Sequence, residues 1–353
     1  MTASLVECPG HTGHAPSIEI QGGRPLKAFD QVERMELILG ACEPLDLIHV
    51  QPERFGLSPI LQVHDEDMVN FLQLGWPTLS KSGHAVDGQV FADTYFHAGL
   101  GRSARGRSSE LAGNAAEYGL YCFDTITGIG ENTTLAAMAS VDTGLTGARL
   151  LLENQHHNVV ALTRPPGHHV GRRVFGGGCY FNNAAIAARR LRDHGAARVA
   201  ILDIDFHHGN GTQDIFYNDP SVLYVSLHGH PNRTFPFFTG YPDEIGCEEG
   251  SGYNLNIPLP EGVPLPAYRR MLQRGLAAID SFGPDFLVIS LGFDSVRNDP
   301  SGDGALEPTD FETIGRDIAD LGVPMLAVLE GGYDLQKLGS CFTSWLAGTE
   351  QEQ

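Results

Sequence analysis

Apolar residues occur in this chain as short, nearly continuous runs that alternate with longer segments of mixed polarity. The apolar runs predict buried strands, which we expect at residues 159–163, 199–205, 222–227, 286–291 and 323–329. The segments around them predict helices at residues 32–41, 66–73, 134–152, 183–194, 266–281, 309–321 and 335–347. Because short buried strands that alternate with helices are typical of a parallel sheet covered on both faces, we expect an α/β fold. The pattern contains no internal repeat, and we predict one domain over residues 1–353.

Two stretches of the chain lack this regularity. Residues 1–30 are rich in turn-forming residues and show no clear period. Residues 80–113 are rich in glycine, serine and arginine and predict a long loop excursion. Loops of that length are unusual in compact domains and often form binding sites or interfaces, so the excursion is compatible with a homodimer or a homotetramer.

The charge balance narrows the classes of partner. The chain carries 23 Lys and Arg against 43 Asp and Glu, a net charge of −20. Nucleic-acid-binding proteins concentrate positive charge, so we expect no nucleic-acid partner. The acidity suits a cationic substrate that is drawn in by the electrostatic field, although acidity that serves only solubility explains the same composition.

The cysteines and the length of the apolar runs indicate the compartment. The chain contains no C-x-x-C pair, and its six scattered cysteines are typical of reduced thiols: Cys8, Cys42, Cys122, Cys179, Cys247 and Cys341. No apolar run approaches the ~20 residues of a membrane span, and no secretion signal is recognisable. We therefore expect a cytoplasmic protein without membrane contact.

Polar residues that can bind metals or take part in catalysis follow the carboxyl end of each predicted strand. In open α/β sheets, sites form in the crevice beyond these ends. The segments, in chain order, are Arg164–His169, Asp205–His208, His228–His230, Gly292–Asp294 and Glu330–Tyr333. We expect the carboxylates, imidazoles and phenol of these segments to meet at one edge of the sheet.

Asp205, His207 and Asp294 are the candidate metal ligands. Asp205 and His207 are two residues apart after an apolar run, so on an extended backbone they point to the same side. Three ligands leave a position open for water, as in catalytic zinc sites, and the oxygen-rich set also suits Fe²⁺, Co²⁺ or Mn²⁺. The alternative is that Asp205 caps a helix and that His207 is a hydrogen-bonded core histidine. His208 should point away from this site.

Three other groups are suited to acid–base and oxyanion chemistry. His168 and His169 follow a rigid Pro-Pro-Gly turn, and a neutral imidazole there can take a proton from water and return it to a leaving amine. Asp203 should face the same side as Asp205 and orient a histidine. Tyr333 follows two glycines and can donate a hydrogen bond to an oxyanion. The glycine clusters at residues 176–178 and 209–211 do not match phosphate-binding loops.

These motifs resemble the zinc-dependent histone deacetylase superfamily. The resemblance runs from about residue 121 to residue 348 and rests on five segments: Arg164–His169, Asp203–Gln213, Ser226–His228, Gly292–Pro300 and Glu330–Tyr333. Residues 206–213 are close to class II-type deacetylases and to bacterial acetylpolyamine amidohydrolases. Residues 18–23 are similar to the opening of the acetylpolyamine enzymes. The resemblance implies the arginase-like α/β/α sandwich around a mostly parallel sheet.

The resemblance also implies roles for individual residues. Asp205, His207 and Asp294 would bind zinc. His169 would act as general base and acid, with His168 assisting beside Asp203, and Tyr333 would polarise the acyl oxygen. A structural potassium ion would be held by Asp203, Asp205, His207, Ser226 and Leu227, and a second one by Phe216, Asp219, Val222 and Tyr253.

Some positions depart from the pattern of this superfamily. Asn210 stands where class I relatives have aspartate, so we expect a lower pKa for His169 than an aspartate would give. Gly178, beside Gly177, stands opposite Phe235 where many relatives have an aromatic wall, which predicts a wider or asymmetric channel. Further candidates for substrate contact are Gly332 at the backbone and Glu19 and Glu117, which could read a distal ammonium group.

The predicted reaction is hydrolysis of an N-acetyl-amine, either an acetylpolyamine or acetyl-lysine in a protein or peptide. A deacylase for longer acyl groups or other small amides is an alternative, favoured by Gly178. An arginase-type ureohydrolase shares the fold but requires two manganese ions. A non-catalytic acyl-group-binding protein is the alternative from a different class.

Overall fold

An eight-stranded parallel sheet forms the centre of the fold. The computed structural model describes residues 3–83, 85–97, 99, 108–154 and 156–350. Its strands, in chain order, are β1 Ser4–Val6, β2 Ile18–Gln21, β3 Arg24–Lys27, β4 Ile48–Val50, β5 Ala85–Val86, β6 Gln89–Val90, β7 Ile129–Gly130, β8 Asn158–Ala161, β9 Val199–Asp203, β10 Val222–Gly229, β11 Asn254–Leu259, β12 Phe286–Leu291 and β13 Met325–Leu329. Its helices are α1 Glu33–Cys42, α2 Ser58–Leu61, α3 Glu66–Leu79, α4 Ser108–Leu111, α5 Ala115–Tyr121, α6 Thr133–Leu152, α7 Asn183–Asp193, α8 Asn210–Phe216, α9 Leu265–Phe282, α10 Asp310–Ala319 and α11 Leu338–Thr349.

The sheet is covered on both faces. Its strand order is β11-β10-β9-β12-β13-β8-β1-β4, and the pairings are parallel. Successive residues of a strand point to opposite faces. In β9, Val199 and Ile201 therefore belong to the apolar core that includes α6 and α7, whereas Ala200 and Leu202 belong to the core that includes α9, α10 and α11. The predicted α/β/α sandwich is confirmed.

The predicted strands and helices are present, with differences at their ends. β13 begins at Met325 rather than residue 323, because Pro324 has no N–H to offer the sheet. α3 continues to Leu79, beyond the predicted end at residue 73, although it contains Pro77. β9 ends at Asp203, so Asp205 and His207 lie in the turn that follows the strand and not in the strand itself.

Three strands of the central sheet have no counterpart in the sequence prediction. β1 and β4 contain three residues each, too few to show a period. β11 is an edge strand that contains Asn254, Asn256 and Pro258. Both asparagine side chains donate through Nδ2 to Oε1 of Gln213, at 2.9 Å and 2.8 Å, which ties β11 to α8. β11 is therefore stabilised by polar contacts that no apolar pattern indicates.

The predicted excursion at residues 80–113 is not a plain loop. β5 and β6 form a hairpin that pairs with β7, and α4 follows later in the segment. Residues 84, 98 and 100–107 of this excursion lie outside the described residues. Among the helices that the structure describes, none is both long enough and apolar enough to cross a membrane.

Candidate active site

Loops after four neighbouring strands line a cavity of about 460 Å³, and segments around Glu19, Asp124 and Phe235 complete its wall. These strands, in the order β9-β12-β13-β8, lie side by side, so their carboxyl ends share one edge of the sheet. The cavity wall includes His168, His169, Asp205, His207 and Tyr333. The structure therefore brings the sequence-predicted acid, histidines and phenol into one cavity.

Two carboxylates and one imidazole converge beside this cavity. The ligand atoms of Asp205, His207 and Asp294 all lie within 4.8 Å of one another. Nδ1 of His207 lies 2.9 Å from Oδ2 of Asp294 and 3.2 Å from Oδ1 of Asp205. Nε2 of His207 donates to the carbonyl oxygen of Ser301 at 3.1 Å, which leaves Nδ1 as the nitrogen with a free lone pair. This donor set fits a divalent cation.

The convergence of Asp205 and His207 has a different origin from the one expected. Because β9 ends at Asp203, strand alternation does not align them. Instead, the backbone N–H of His207 donates to Oδ1 of Asp205 at 2.8 Å, and this turn folds the two side chains together.

The buried carboxylates of Asp205 and Asp294 destabilise the fold when no cation lies beside them. Asp205 is 1% exposed and Asp294 0% exposed. Burial and the neighbouring charge of Asp205 raise the pKa of Asp294 above its ordinary value. Backbone N–H groups of Gly331 and Phe206 each hold one oxygen of these carboxylates, at 2.8 Å and 2.7 Å. A hydrogen-bonded core histidine, the alternative interpretation of His207, explains neither the second acid nor the convergence of all three side chains.

His168 and His169 lie side by side with different partners. Nδ1 of His168 lies 3.1 Å from Oδ2 of Asp203, and Nδ1 of His169 donates to Oδ1 of Asn210 at 2.7 Å. Burial disfavours the charged form of His168, but the carboxylates of Asp205 and Asp203 outweigh burial and raise its pKa to about 10. Burial above all, and next the neighbouring charge of His168, lowers the pKa of His169. The two neighbouring imidazoles thus have opposite pKa shifts, upward for His168 and downward for His169.

Arg34 fixes the loop that carries Tyr333. Its guanidinium lies 4.7 Å from the centre of the Tyr333 ring. It donates to the carbonyl oxygens of Glu330 at 2.6 Å and Gly332 at 2.8 Å. The backbone N–H of Tyr333 donates to Oδ2 of Asp299 at 2.6 Å. Burial raises the pKa of the Tyr333 phenol, so the hydroxyl remains a donor.

A buried ionic network supports Arg34, and the sequence motifs did not predict it. Oδ1 of Asp30 accepts from Arg34 at 2.7 Å and from Arg164 at 2.9 Å. Burial opposes ionisation of Asp30, but the two arginines outweigh it and lower its pKa to about 2. Arg164 lies in a motif that the sequence singles out, whereas Asp30 and Arg34 carry no local signal.

The two acidic residues expected to read a distal ammonium lie in different places. Glu19 lines the cavity, is 8% exposed, and accepts from Nε2 of Gln21 at 2.5 Å. Burial raises the pKa of Glu19 to about 7. Glu117 lies on α5 in a separate groove with Asp67 and Tyr121. The expectation for Glu117 is corrected, because α5 places this side chain outside the cavity that holds the reacting groups.

The walls beside His169 are unequal. Phe235 packs edge-on against His169, with 5.1 Å between ring centres. A Cβ on Gly177 would lie 2.1 Å from the His169 ring, whereas a Cβ on Gly178 would meet no heavy atom of the described residues within 4 Å. Phe123, which the sequence did not indicate, stacks on Phe235 with 5.9 Å between ring centres. The cavity wall is therefore tight at Gly177 and has open space at Gly178.

Two other predicted positions, Gly332 and His228, do not line the cavity. Gly331, and not Gly332, lines the cavity, because the left-handed turn at Gly332 brings its backbone against Phe293. His228 is also separate from the cavity and lies between Oγ of Ser226 at 2.8 Å and the carbonyl oxygen of Gly240 at 2.9 Å.

His208 packs against His228, 4.5 Å between ring centres, and does not line the cavity. Of the residues linked above to potassium, Oδ1 of Asp203 accepts from the backbone N–H of Asp205 at 3.2 Å, and Leu227 is fully buried. Asp219 lies between Phe216, which ends α8, and Val222, which begins β10, and its Oδ2 is 3.3 Å from Nη2 of Arg189.

Comparison with known proteins places this geometry in context. The family model of the histone deacetylase domain matches residues 26–349. The chain is 39% identical over 331 residues to the acetylpolyamine amidohydrolase of Mycoplana ramosa, with 94% of each chain covered. It is 38% identical over 341 residues to acetylpolyamine amidohydrolase 2 of Pseudomonas aeruginosa, with 96% of each covered. The crystal structure of the acetylpolyamine aminohydrolase from Burkholderia pseudomallei matches with a TM-score of 0.89 at 34% identity, over 98% of both chains.

Proposed function

This chain belongs to the histone deacetylase family, a family of hydrolases, and from that premise we propose that it is a zinc-dependent deacetylase of acetylated polyamines. The observation that carries the proposal is the convergence of Asp205, His207 and Asp294 within 4.8 Å, beside a cavity lined by His169 and Tyr333. A ureohydrolase with two metal ions is disfavoured, because the described residues offer one such cluster.

Asp205, His207 and Asp294 would hold the zinc ion, and Fe²⁺ or Co²⁺ would suit the same donors. The ion would polarise the acetyl oxygen and lower the pKa of a water molecule. The cavity next to the three ligands offers the space for water and substrate that a catalytic site needs.

His169 would transfer the proton. Its Nδ1–H donates to Asn210, so Nε2 carries the lone pair that accepts a proton from water. Its lowered pKa keeps the ring neutral before the reaction, and the resulting imidazolium would return the proton to the amine nitrogen. His168, held by Asp203, would stay protonated and stabilise developing negative charge. Tyr333 would donate its O–H to the tetrahedral oxyanion.

Acetylated polyamines suit the charge of the cavity. Such substrates carry an ammonium group beyond the acetylated nitrogen, and Glu19 and Asp124 line the same cavity as the reacting groups. The net charge of −20 adds a field that attracts cations. A bound ammonium would also lower the pKa of Glu19, so that its carboxylate ionises on contact with the substrate.

A broader deacylase is the second candidate, favoured by the open wall at Gly178. The open space at Gly178, a residue of the cavity wall, would admit amides that are bulkier than a linear acetylamine. Acetyl-lysine in a peptide is the third substrate to compare, since the motifs also resemble class II-type deacetylases.

A parallel kinetic comparison tests these substrates. We expect zinc-loaded protein to give a higher kcat/KM for acetylputrescine, acetylcadaverine and acetylspermidine than for butyrylputrescine or an acetyl-lysine peptide. Chelator should abolish all activity. N-butylacetamide, which lacks the distal ammonium, is the matched control: Glu19→Gln should raise KM for acetylputrescine and leave N-butylacetamide unchanged. A preference for the peptide or the butyryl substrate would replace the acetylpolyamine assignment.

The pH profile should respond to Asn210. In Asn210→Asp, a carboxylate faces Nδ1 of His169 where the wild type has an amide oxygen 2.7 Å away. The negative charge stabilises the imidazolium and raises the pKa of His169. The acid limb of kcat/KM against pH should therefore move to higher pH, because the neutral ring is needed. An unchanged acid limb would show that His169 is not the base.

Structural potassium and a homodimeric or homotetrameric assembly remain predictions. The first potassium ion would use Asp203, Asp205, His207, Ser226 and Leu227. Flame photometry of dialysed protein and sedimentation analysis would test the ion content and the assembly separately.

A further inference from the structure

Glu330 contacts the turn that carries the two active-site histidines. It follows β13 and is 0% exposed. Its Oε2 accepts from the backbone N–H of Gly167 at 2.7 Å and from that of His168 at 3.2 Å. We propose that Glu330 is a positioning residue, which sets His168 and His169 against the metal-ligand cluster by holding this backbone; the inference rests on the proposed function of the histidines.

A buried carboxylate at position 330 lowers the free energy of unfolding. Among the described residues, Oε1 of Glu330 has no hydrogen-bond partner, although it is buried. A buried, half-satisfied carboxylate destabilises a protein unless its contacts compensate. An apolar residue would fill the space without that cost but could not accept from the two N–H groups. The choice of glutamate is therefore explained by what it holds.

The Glu330–Tyr333 segment joins the histidine turn to the candidate metal ligand Asp205 and carries the tyrosine. The side chain of Glu330 holds the histidine turn, and the next N–H, that of Gly331, donates to the metal-ligand candidate Asp205 at 2.8 Å. Two residues later the chain presents Tyr333. A shift of Glu330 would thus change the spacing between proton-transfer group, metal ligand and oxyanion donor.

The histidine turn has other supports, and they act on its carbonyl oxygens. The carbonyl oxygen of Pro165 accepts from Oγ of Ser140 at 2.9 Å and from Nδ2 of Asn183 at 3.2 Å. Those contacts fix the start of the turn, and the carbonyl oxygen of His168 accepts from the backbone N–H groups of Gly211 and Thr212, at 3.1 Å each. Glu330 holds the N–H groups of Gly167 and His168, directly before His169.

Two conservative variants separate reach from charge. Glu330→Gln keeps an oxygen at the same reach without the charge, and Glu330→Asp keeps the charge but withdraws the oxygen by one methylene. Displacement of a reacting group by about 1 Å can cost about 10²-fold in rate, so we expect that loss of kcat in E330D and less than about tenfold in E330Q. KM should change little in either. Asp317→Asn, which alters a buried carboxylate paired with Arg269 at 2.7 Å, is the control and should keep the wild-type kcat.

Histidine side-chain NMR of ¹⁵N-labelled protein gives a readout that does not need turnover. The ring signals of His168 and His169 should shift in E330D and remain close to wild type in E330Q, while those of the distant His194 stay fixed. Wild-type signals and kcat in E330D, or an equal loss in E330Q and E330D, would overturn the inference. If the wild-type protein hydrolyses no acetylamine, the proposed function fails, and the NMR comparison still decides the role of Glu330.

Discussion

Replacement of Tyr333 by phenylalanine should lower kcat by about 10²- to 10³-fold, the usual cost of losing one oxyanion donor. The change removes the hydroxyl and keeps the ring, which packs under Arg34 at 4.7 Å and beside Phe29 at 6.0 Å. A donor that acts on the tetrahedral oxyanion stabilises the transition state more than the bound amide. KM should therefore change much less than kcat, as measured by steady-state kinetics on acetylputrescine.

The matched control is Tyr241→Phe. This change removes a hydroxyl that donates to Oδ1 of Asn232 at 2.9 Å, and Tyr241 does not line the cavity. It should keep wild-type kinetics. Zinc content must be measured in both variants, because loss of metal would imitate loss of the donor. Unchanged kcat in fully zinc-loaded Y333F would show that the phenol does not stabilise the oxyanion.

The fold was predictable where local sequence carries the information. β12 and β13 are almost wholly apolar and lie in the middle of the sheet, so their composition indicates both strand and burial. β1 contains only three residues, and its place between β8 and β4 depends on pairing with residues more than 40 positions away in the chain. Such long-range pairing leaves no local period.

The meeting of the polar residues at one edge was predictable from the type of sheet. Parallel strands bring their carboxyl ends to one edge, so polar residues after separate strands could be assigned to one cavity before their contacts were known. The prediction that strand alternation aligns Asp205 and His207 was wrong, because β9 ends at Asp203 and a turn aligns the two side chains. The residue types and their spacing sufficed without that detail.

The supporting residues were not predictable in the same way. Asp30 precedes α1 and Arg34 lies within it, far in sequence from the strand ends, and Arg34 reaches the loop of Tyr333 only through tertiary packing. Phe123 reaches Phe235 in the same manner. Glu330 does follow a strand, but only its contacts with the Gly167 and His168 backbone indicate what it holds.

Replacement of Asp294 by asparagine should remove both metal binding and activity while the fold is kept. In the wild type, the N–H of Phe206 donates to Oδ1 of Asp294 at 2.7 Å, and an amide oxygen can still accept this bond. The negative charge that faces His207 is lost. Loss of an outer hydrogen-bond partner of a metal site costs about 10- to 100-fold in affinity or activity, so loss of a charged ligand should cost more than about 10²-fold. Zinc titration by calorimetry and kcat/KM on acetylputrescine measure the two effects.

Thermal unfolding separates this result from simple destabilisation. Zinc that binds the folded state should raise the melting temperature of the wild type, with a smaller rise in D294N. Without metal, D294N should be at least as stable as the wild type, because burial and Asp205 already raise the pKa of Asp294 and the change removes that repulsion. Asp317→Asn should keep one zinc per chain and full activity. If D294N bound zinc and turned over like the wild type, or if wild-type activity survived complete zinc removal, these three side chains would not form the catalytic metal site.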